Sequence, residues 1–317
     1  MARLLKLMQN EWMKLWSKKA SWMMVFLLVL LLFASAAIGK YVNSTANEGV
    51  EESWQAVTAA QLEVNKAMIM DPAMNDAQKD YHTGQIAIAE YRLENDVRPF
   101  EFTSMQQGVI DAHEMLSIVT LFTVIIAAGI TASEFSQGTI KMLLTRPVRR
   151  WKVLTSKYLT TMVFAVLLSV ITLFTAALAG LIFFGIGEGT FLEWNGSEVV
   201  EGSYWLEAVK LFILSFASVW ILGTFAFMLG TVFRSSSLAI GLSIFLMFTG
   251  IQAVFLLSNY EVIKYYLFTH TDLTQFYNGF MPVPDITMTM SLIVLAVYFL
   301  LFLGISYWTF SKRDITA

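Results

Sequence analysis

The sequence has no cysteine, five prolines and three histidines, and only 14% of its residues are charged. Without cysteine there is neither a disulfide framework nor thiolate chemistry. His82, His113 and His270 are scattered without ligand spacing, which argues against a metal site. A Gly-x-x-x-x-Gly-Lys-Ser/Thr segment is also missing, so the chain has no P-loop to cradle nucleotide phosphates. Soluble domains carry about a quarter charged residues. Here the place of charge is taken by apolar side chains: 56% of residues are hydrophobic and the mean hydropathy is +0.61. They fall into several runs of roughly 20 residues, the length that crosses a bilayer as a helix.

Six spans are predicted, at residues 20–38, 115–132, 158–184, 208–233, 238–257 and 286–310. The first follows a basic leader and shows no small-residue cleavage pattern, so it reads as a retained span. Within residues 1–19, Leu5, Met8, Trp12, Leu15 and Trp16 recur at helical spacing, with Lys6, Gln9, Asn10, Lys14 and Lys18 largely between them. That is an amphipathic helix suited to the membrane interface. Residues 39–114 are polar. Their 50–70 and 74–96 portions read as two helices, broken at Asp71-Pro72 and stopped at Arg98-Pro99. Trp54, Val57, Val64 and Met68 are expected to pack against Met74, Ala77, Tyr81, Ile88 and Tyr91, making a hairpin outside the membrane. The other connections are a loop at 133–157, an outer loop at 185–207 and a turn at 234–237. An aromatic-rich outer or re-entrant segment follows at 258–285, and a tail at 311–317. The expected fold is thus an all-α polytopic membrane protein of six transmembrane helices, with an N-terminal interfacial helix and a helical insert between spans 1 and 2.

Charge sets the expected orientation. Fourteen basic residues lie on the side of the N-terminus and six on the other. The positive-inside rule therefore puts both termini and the 133–157 loop in the cytoplasm, and the insert outside. The central parts of the spans contain no Asp, Glu, Lys, Arg or His, which disfavours ion-coupled transport. Glu207 and Lys210 read as a helix-end pair. Gln252 reads as an interhelix hydrogen-bonding group, and Gly129, Gly223, Gly230, Gly241 and Gly250 as sites of close helix packing.

The 133–157 loop carries the most distinctive pattern: Glu134, then Gly138-Thr139, Leu143-Leu144-Thr145-Arg146-Pro147-Val148-Arg149-Arg150, and Lys157 at the start of a long span. It resembles the first cytoplasmic loop of type-2 ABC transporter permeases, the six-span membrane subunits of bacterial ABC exporters. Asn10-Glu11-Trp12-Met13-Lys14-Leu15 is similar to that family's interfacial helix. Phe233-Arg234-Ser235-Ser236-Ser237 is similar to its second cytoplasmic turn, and Phe310-Ser311-Lys312-Arg313-Asp314-Ile315 to its C-terminal signature. The insert at about 40–107 is longer than in many simple permeases of this class.

The resemblance implies a bacterial plasma-membrane protein that pairs with a second permease copy, as a homodimer or heterodimer. It also implies cytoplasmic ABC ATPase subunits as partners, ATP and magnesium bound on those subunits alone, and no nucleic-acid partner. The chain itself would be no enzyme and would bind no cofactor. Glu134, Gly138, Thr139, Ile140, Leu143, Leu144, Arg146 and Pro147 would form the ATPase-coupling element. In it Gly138-Thr139 would open a short helix, Ile140, Leu143 and Leu144 would give its apolar face, and Pro147 would end it. Glu134 and Arg146 would make charged contacts at its two ends. Lys14, Lys18, Lys19, Arg149, Arg150 and Lys152 would seat the protein on anionic headgroups. Competing expectations are a permease-like sensor or self-protection subunit that transports nothing, and a stand-alone secondary carrier. The apolar spans favour an amphipathic or hydrophobic substrate.

Overall fold

A computed structural model describes residues 2–46, 53–72, 74–100, 103–139, 149–233 and 235–312. Helix α1 (Ala2–Trp16) leads through a tight turn into α2 (Lys19–Ala46). The insert contributes α3 (Trp54–Ile69) and α4 (Asp76–Asn95). Next come α5 (Met105–Asp111), a 3-10 turn at 112–115, and α6 (Leu116–Ser136). Beyond α6 come α7 (Arg150–Phe183), strands β1 (Leu192–Trp194) and β2 (Val199–Glu201), α8 (Tyr204–Val232), α9 (Ser236–Leu256) and α10 (Met288–Lys312). Six helices among the described residues are long and apolar enough to cross a membrane. The protein is an all-α polytopic membrane protein with almost no sheet. Six crossings put α1, the junction between α6 and α7 and the end of α10 at one end of the bundle, the loop end. The insert, the β-hairpin and residues 258–285 lie at the other, the hairpin end.

The helices outrun the expected spans at several ends. The second apolar run is continuous from Met105 to Ser136. Helix α7 has 34 residues, about 50 Å at 1.5 Å per residue, against an apolar bilayer thickness of about 30 Å. Residues 150–157, expected in the loop, are therefore its first two turns: Val153 and Leu154 keep an apolar face toward the core through the basic stretch.

The hairpin forms as expected, with Ser53 and Asn75 capping its helices and Asn75–Gln78 closing a capping box. Its packing stripe differs from the expected one. Val64 and Met68 are 56% and 43% exposed, whereas Thr58 and Leu62 are the buried α3 positions. The reason is that α4 has a second partner, the β-hairpin. Gly84 lies so close to Trp194 that a Cβ would come within 2.9 Å of its ring, and Arg92 reaches the Thr190 carbonyl at 2.9 Å. The β-hairpin itself was unexpected. The Asn195 carboxamide accepts from the backbone N–H groups of Ser197 and Glu198 and so folds the turn. Residues 258–285 fold into three short 3-10 turns plugged into the bundle. Fully buried His270 is satisfied there by Ser291 Oγ and the Lys264 carbonyl, each at 2.8 Å.

Helix α6 forms the centre of the bundle, packed on α7, α8 and α9. Its contact with α8 depends on Gly230, where an added Cβ would collide with the backbone of Ala128. Backbone cannot retreat as a side-chain end can. Gly230→Ala is therefore expected to destabilise the folded bundle by about 1–3 kcal/mol, the cost of overpacking a core. Heat denaturation in detergent checks this against Gly241→Ala, where a Cβ meets nothing within 4 Å. Large apolar groups such as Phe26, Phe174, Phe245 and Leu300 are exposed on the outer faces of the spans, as a lipid-facing surface requires.

Candidate functional site

At the loop end, four charged side chains meet from three helices. Lys157, fully buried two turns into α7, places its ammonium 2.7 Å from Glu11 Oε2 and 2.8 Å from Glu134 Oε1. Lys14 completes the square, 3.0 Å from Glu11 Oε1 and 3.1 Å from Glu134 Oε1. Glu11 and Lys14 are one turn apart on α1, and Glu134 lies in the last turn of α6. Two cations and two carboxylates balance, which makes their burial tolerable.

Local sequence explains how α1 delivers its carboxylate. Glu11 lies three residues from Met8 and four from Leu15, on the apolar face rather than the lysine face. Leu15 is buried beside it, while Trp16 stacks edge-on against Phe164 of α7 and Trp22 of α2. The aromatic contacts hold α1 down and the ion cluster fixes its register.

Charge and burial oppose each other in the cluster. Burial disfavours the Glu11 carboxylate, but Lys157 and then Lys14 outweigh it, so its pKa lies below the ordinary value of 4.5. Burial likewise works against the Lys14 ammonium, but Glu11 and Glu134 outweigh it and raise its pKa above 10.5. The Glu11 contribution to stability is thus complete above pH 4.5 and is lost as pH falls through the lowered value. The Lys14 contribution is complete below pH 10.5 and is lost as pH rises through the raised one. Thermal stability is expected to fall on acidification below about pH 4.5 in the wild-type chain, and less steeply in Glu11→Gln. Melting curves of both proteins across pH check this.

The expected site residues distribute as follows. Glu134 was expected at the surface, making a charged contact with a partner; it is buried instead, because Lys157 and Lys14 hold it. Its Oε2 atom has no hydrogen-bond partner among the described residues. Lys14 was expected to meet headgroups; its ammonium turns into the cluster, although the residue remains at the surface. Gly138, expected to open a short helix, takes a left-handed φ of +71° just past the end of α6 and stops that helix. The Thr139 hydroxyl bonds back to the Glu134 carbonyl. Ile140, Leu143, Leu144, Arg146 and Pro147 lie outside the described residues. Lys18, Lys19 and Arg149 are exposed. Arg150 donates to the Ser311 carbonyl of α10 at 3.1 Å, and Lys152 lies over the Trp151 ring at 5.4 Å. Sequence reasoning missed Glu11 and Lys157.

Residues 86–316 match the profile of a family described as "Protein of unknown function (DUF2705)". The chain belongs to this family. It is 36% identical over 317 residues to "Uncharacterized protein YhcI" of Bacillus subtilis (strain 168), covering 98% of this chain and 99% of that protein. It is also 32% identical over 204 residues to "Uncharacterized membrane protein YdbK" of the same organism, covering 62% of this chain and 78% of that one. The DUF2705 match begins inside α4 and runs through α10. It therefore takes in Glu134 and Lys157 but not Glu11 and Lys14.

Proposed function

We propose that this chain is the permease subunit of an ATP-binding cassette exporter. It would work as a homodimer or heterodimer in the plasma membrane, with cytoplasmic ATPase subunits that bind ATP and magnesium. The observation that carries the reading is the buried charge cluster. The segment that joins α6 to α7, read from the sequence as the coupling loop, leaves α6 and enters α7 within about two turns of Glu134 and of Lys157. A force applied to that loop reaches α6, α7 and α1 as one body. Moving packed helices together is what nucleotide-driven closure asks of a membrane subunit. The cluster lends nothing to the carrier reading, since its charges are balanced and it lies at a helix end rather than at mid-span.

The test is co-expression of the tagged chain with any ABC ATPase found encoded beside its gene. A complex of fixed stoichiometry is expected, with ATP hydrolysis in proteoliposomes that differs from that of the ATPase alone. A folded, membrane-inserted chain that captures no ATPase would overturn the reading.

A further inference from the structure

At the opposite end of the molecule, a cavity of about 1200 Å³ lies between the helical hairpin, the outer loops and the ends of α5 and α8. That exceeds the usual small-molecule pocket of roughly 300–1,000 Å³. Five aromatic side chains line it: Trp54 and Tyr81 from the hairpin, Phe100 from the following linker, Phe191 just before β1, and Tyr277 from the 258–285 segment. Two arginines, Arg92 and Arg98, line it as well.

Arg92 decides the chemistry. It is only 9% exposed, and its guanidinium donates to two neutral acceptors, the Val97 carbonyl at 3.3 Å and the Thr190 carbonyl at 2.9 Å. Among the described residues it pairs with no carboxylate. Buried arginines are ordinarily matched by an anion, and this one has further donors to offer. Among the described residues lining the cavity the acid is Glu207, and it is already matched by Lys210 at 2.6 Å. Arg98 stands at the rim of the cavity, 4.0 Å from Glu188. Arg92 therefore sets a buried cation, with no carboxylate partner among the described residues, beside aromatic surface.

We propose that this cavity binds an amphiphilic organic anion. Its carboxylate or phosphate would lie on Arg92, with Arg98 at the rim, and its apolar body among Trp54, Tyr81, Phe100 and Tyr277. The anion comes either from a lipid headgroup or from a soluble compound. The site is independent of the loop end, so it stands or falls separately from the exporter reading.

The experiment uses the full chain in phosphatidylcholine nanodiscs, with empty discs subtracted, and measures binding of 1-naphthoate and of its uncharged analogue 1-naphthamide. The naphthoate is expected to bind saturably, at least tenfold more tightly than the amide. Arg92→Gln is expected to abolish that preference, and Arg92→Lys to restore part of it. Arg98→Gln, which leaves the Thr190 contact intact, is expected to weaken naphthoate binding severalfold and so covers any failure of Arg92→Gln to fold. Adding phosphatidylglycerol to the discs identifies the source. Displacement of naphthoate assigns the site to a headgroup, and unchanged binding assigns it to a soluble anion. Equal binding of the two probes, no saturable binding, or naphthoate affinity unchanged in both glutamine variants would overturn the proposal.

Discussion

Lys157→Met is expected to destabilise the protein by about 3–5 kcal/mol, the cost of breaking a buried ion pair by removing one partner. The substitution keeps the side-chain length but leaves Glu11 and Glu134 facing each other with Lys14 alone between them. One carboxylate must then take up a proton or leave the site, and α1 loses its tie to α7. Replacing a second partner restores the balance. Lys157→Met with Glu134→Gln retains the Lys14–Glu11 pair and is expected to be more stable than Lys157→Met alone. The two losses adding without coupling would show that the cluster does not act as a unit. Heat denaturation of the four proteins in detergent, followed by the fraction remaining monodisperse, makes the measurement.

Leu143→Asp with Leu144→Asp is expected to abolish association with the ATPase while leaving membrane insertion intact. On the exporter reading these leucines give the loop its apolar face. Burying two leucine side chains in a partner's groove is worth about 3–6 kcal/mol, and losing it weakens binding by a hundredfold or more. The introduced carboxylates add a desolvation penalty to that loss. The melting curve of the double variant, set against that of the wild type, separates loss of partner binding from loss of fold. Unchanged co-purification would remove the loop from the coupling role. Loss of partner binding in Lys157→Met, with Leu143 and Leu144 intact, would show instead that the cluster seats the loop.

What the sequence made legible follows from the range of each signal. Span number and the helical hairpin rest on local features: apolar runs of bilayer length, and Asp71-Pro72 between two polar helices. The hairpin's buried face was drawn wrongly because it depends on where Trp194 and Thr190 come to rest, far along the chain. The β-hairpin has three-residue strands, too short to carry an alternating pattern. The charge cluster joins positions 146 residues apart, beyond any periodicity. One local sign of it was nonetheless present. A glutamate on the apolar face of an amphipathic helix needs a buried cation, and Glu11 occupies such a position between Met8 and Leu15. Lys157 escaped notice because the basic stretch before it drew the boundary of the third span just past it.

The order of the cluster along the chain bears on how the protein is made. Glu11 and Lys14 leave the ribosome first, Glu134 follows with α6, and Lys157 arrives last. The residue that ends fully buried thus enters the membrane region only after both of its acceptors have been synthesised. A buried lysine at a helix end is costly while it has no partner. Here the acceptors are waiting, so the docking of α1 belongs to the assembly of the third span as well as to the finished structure.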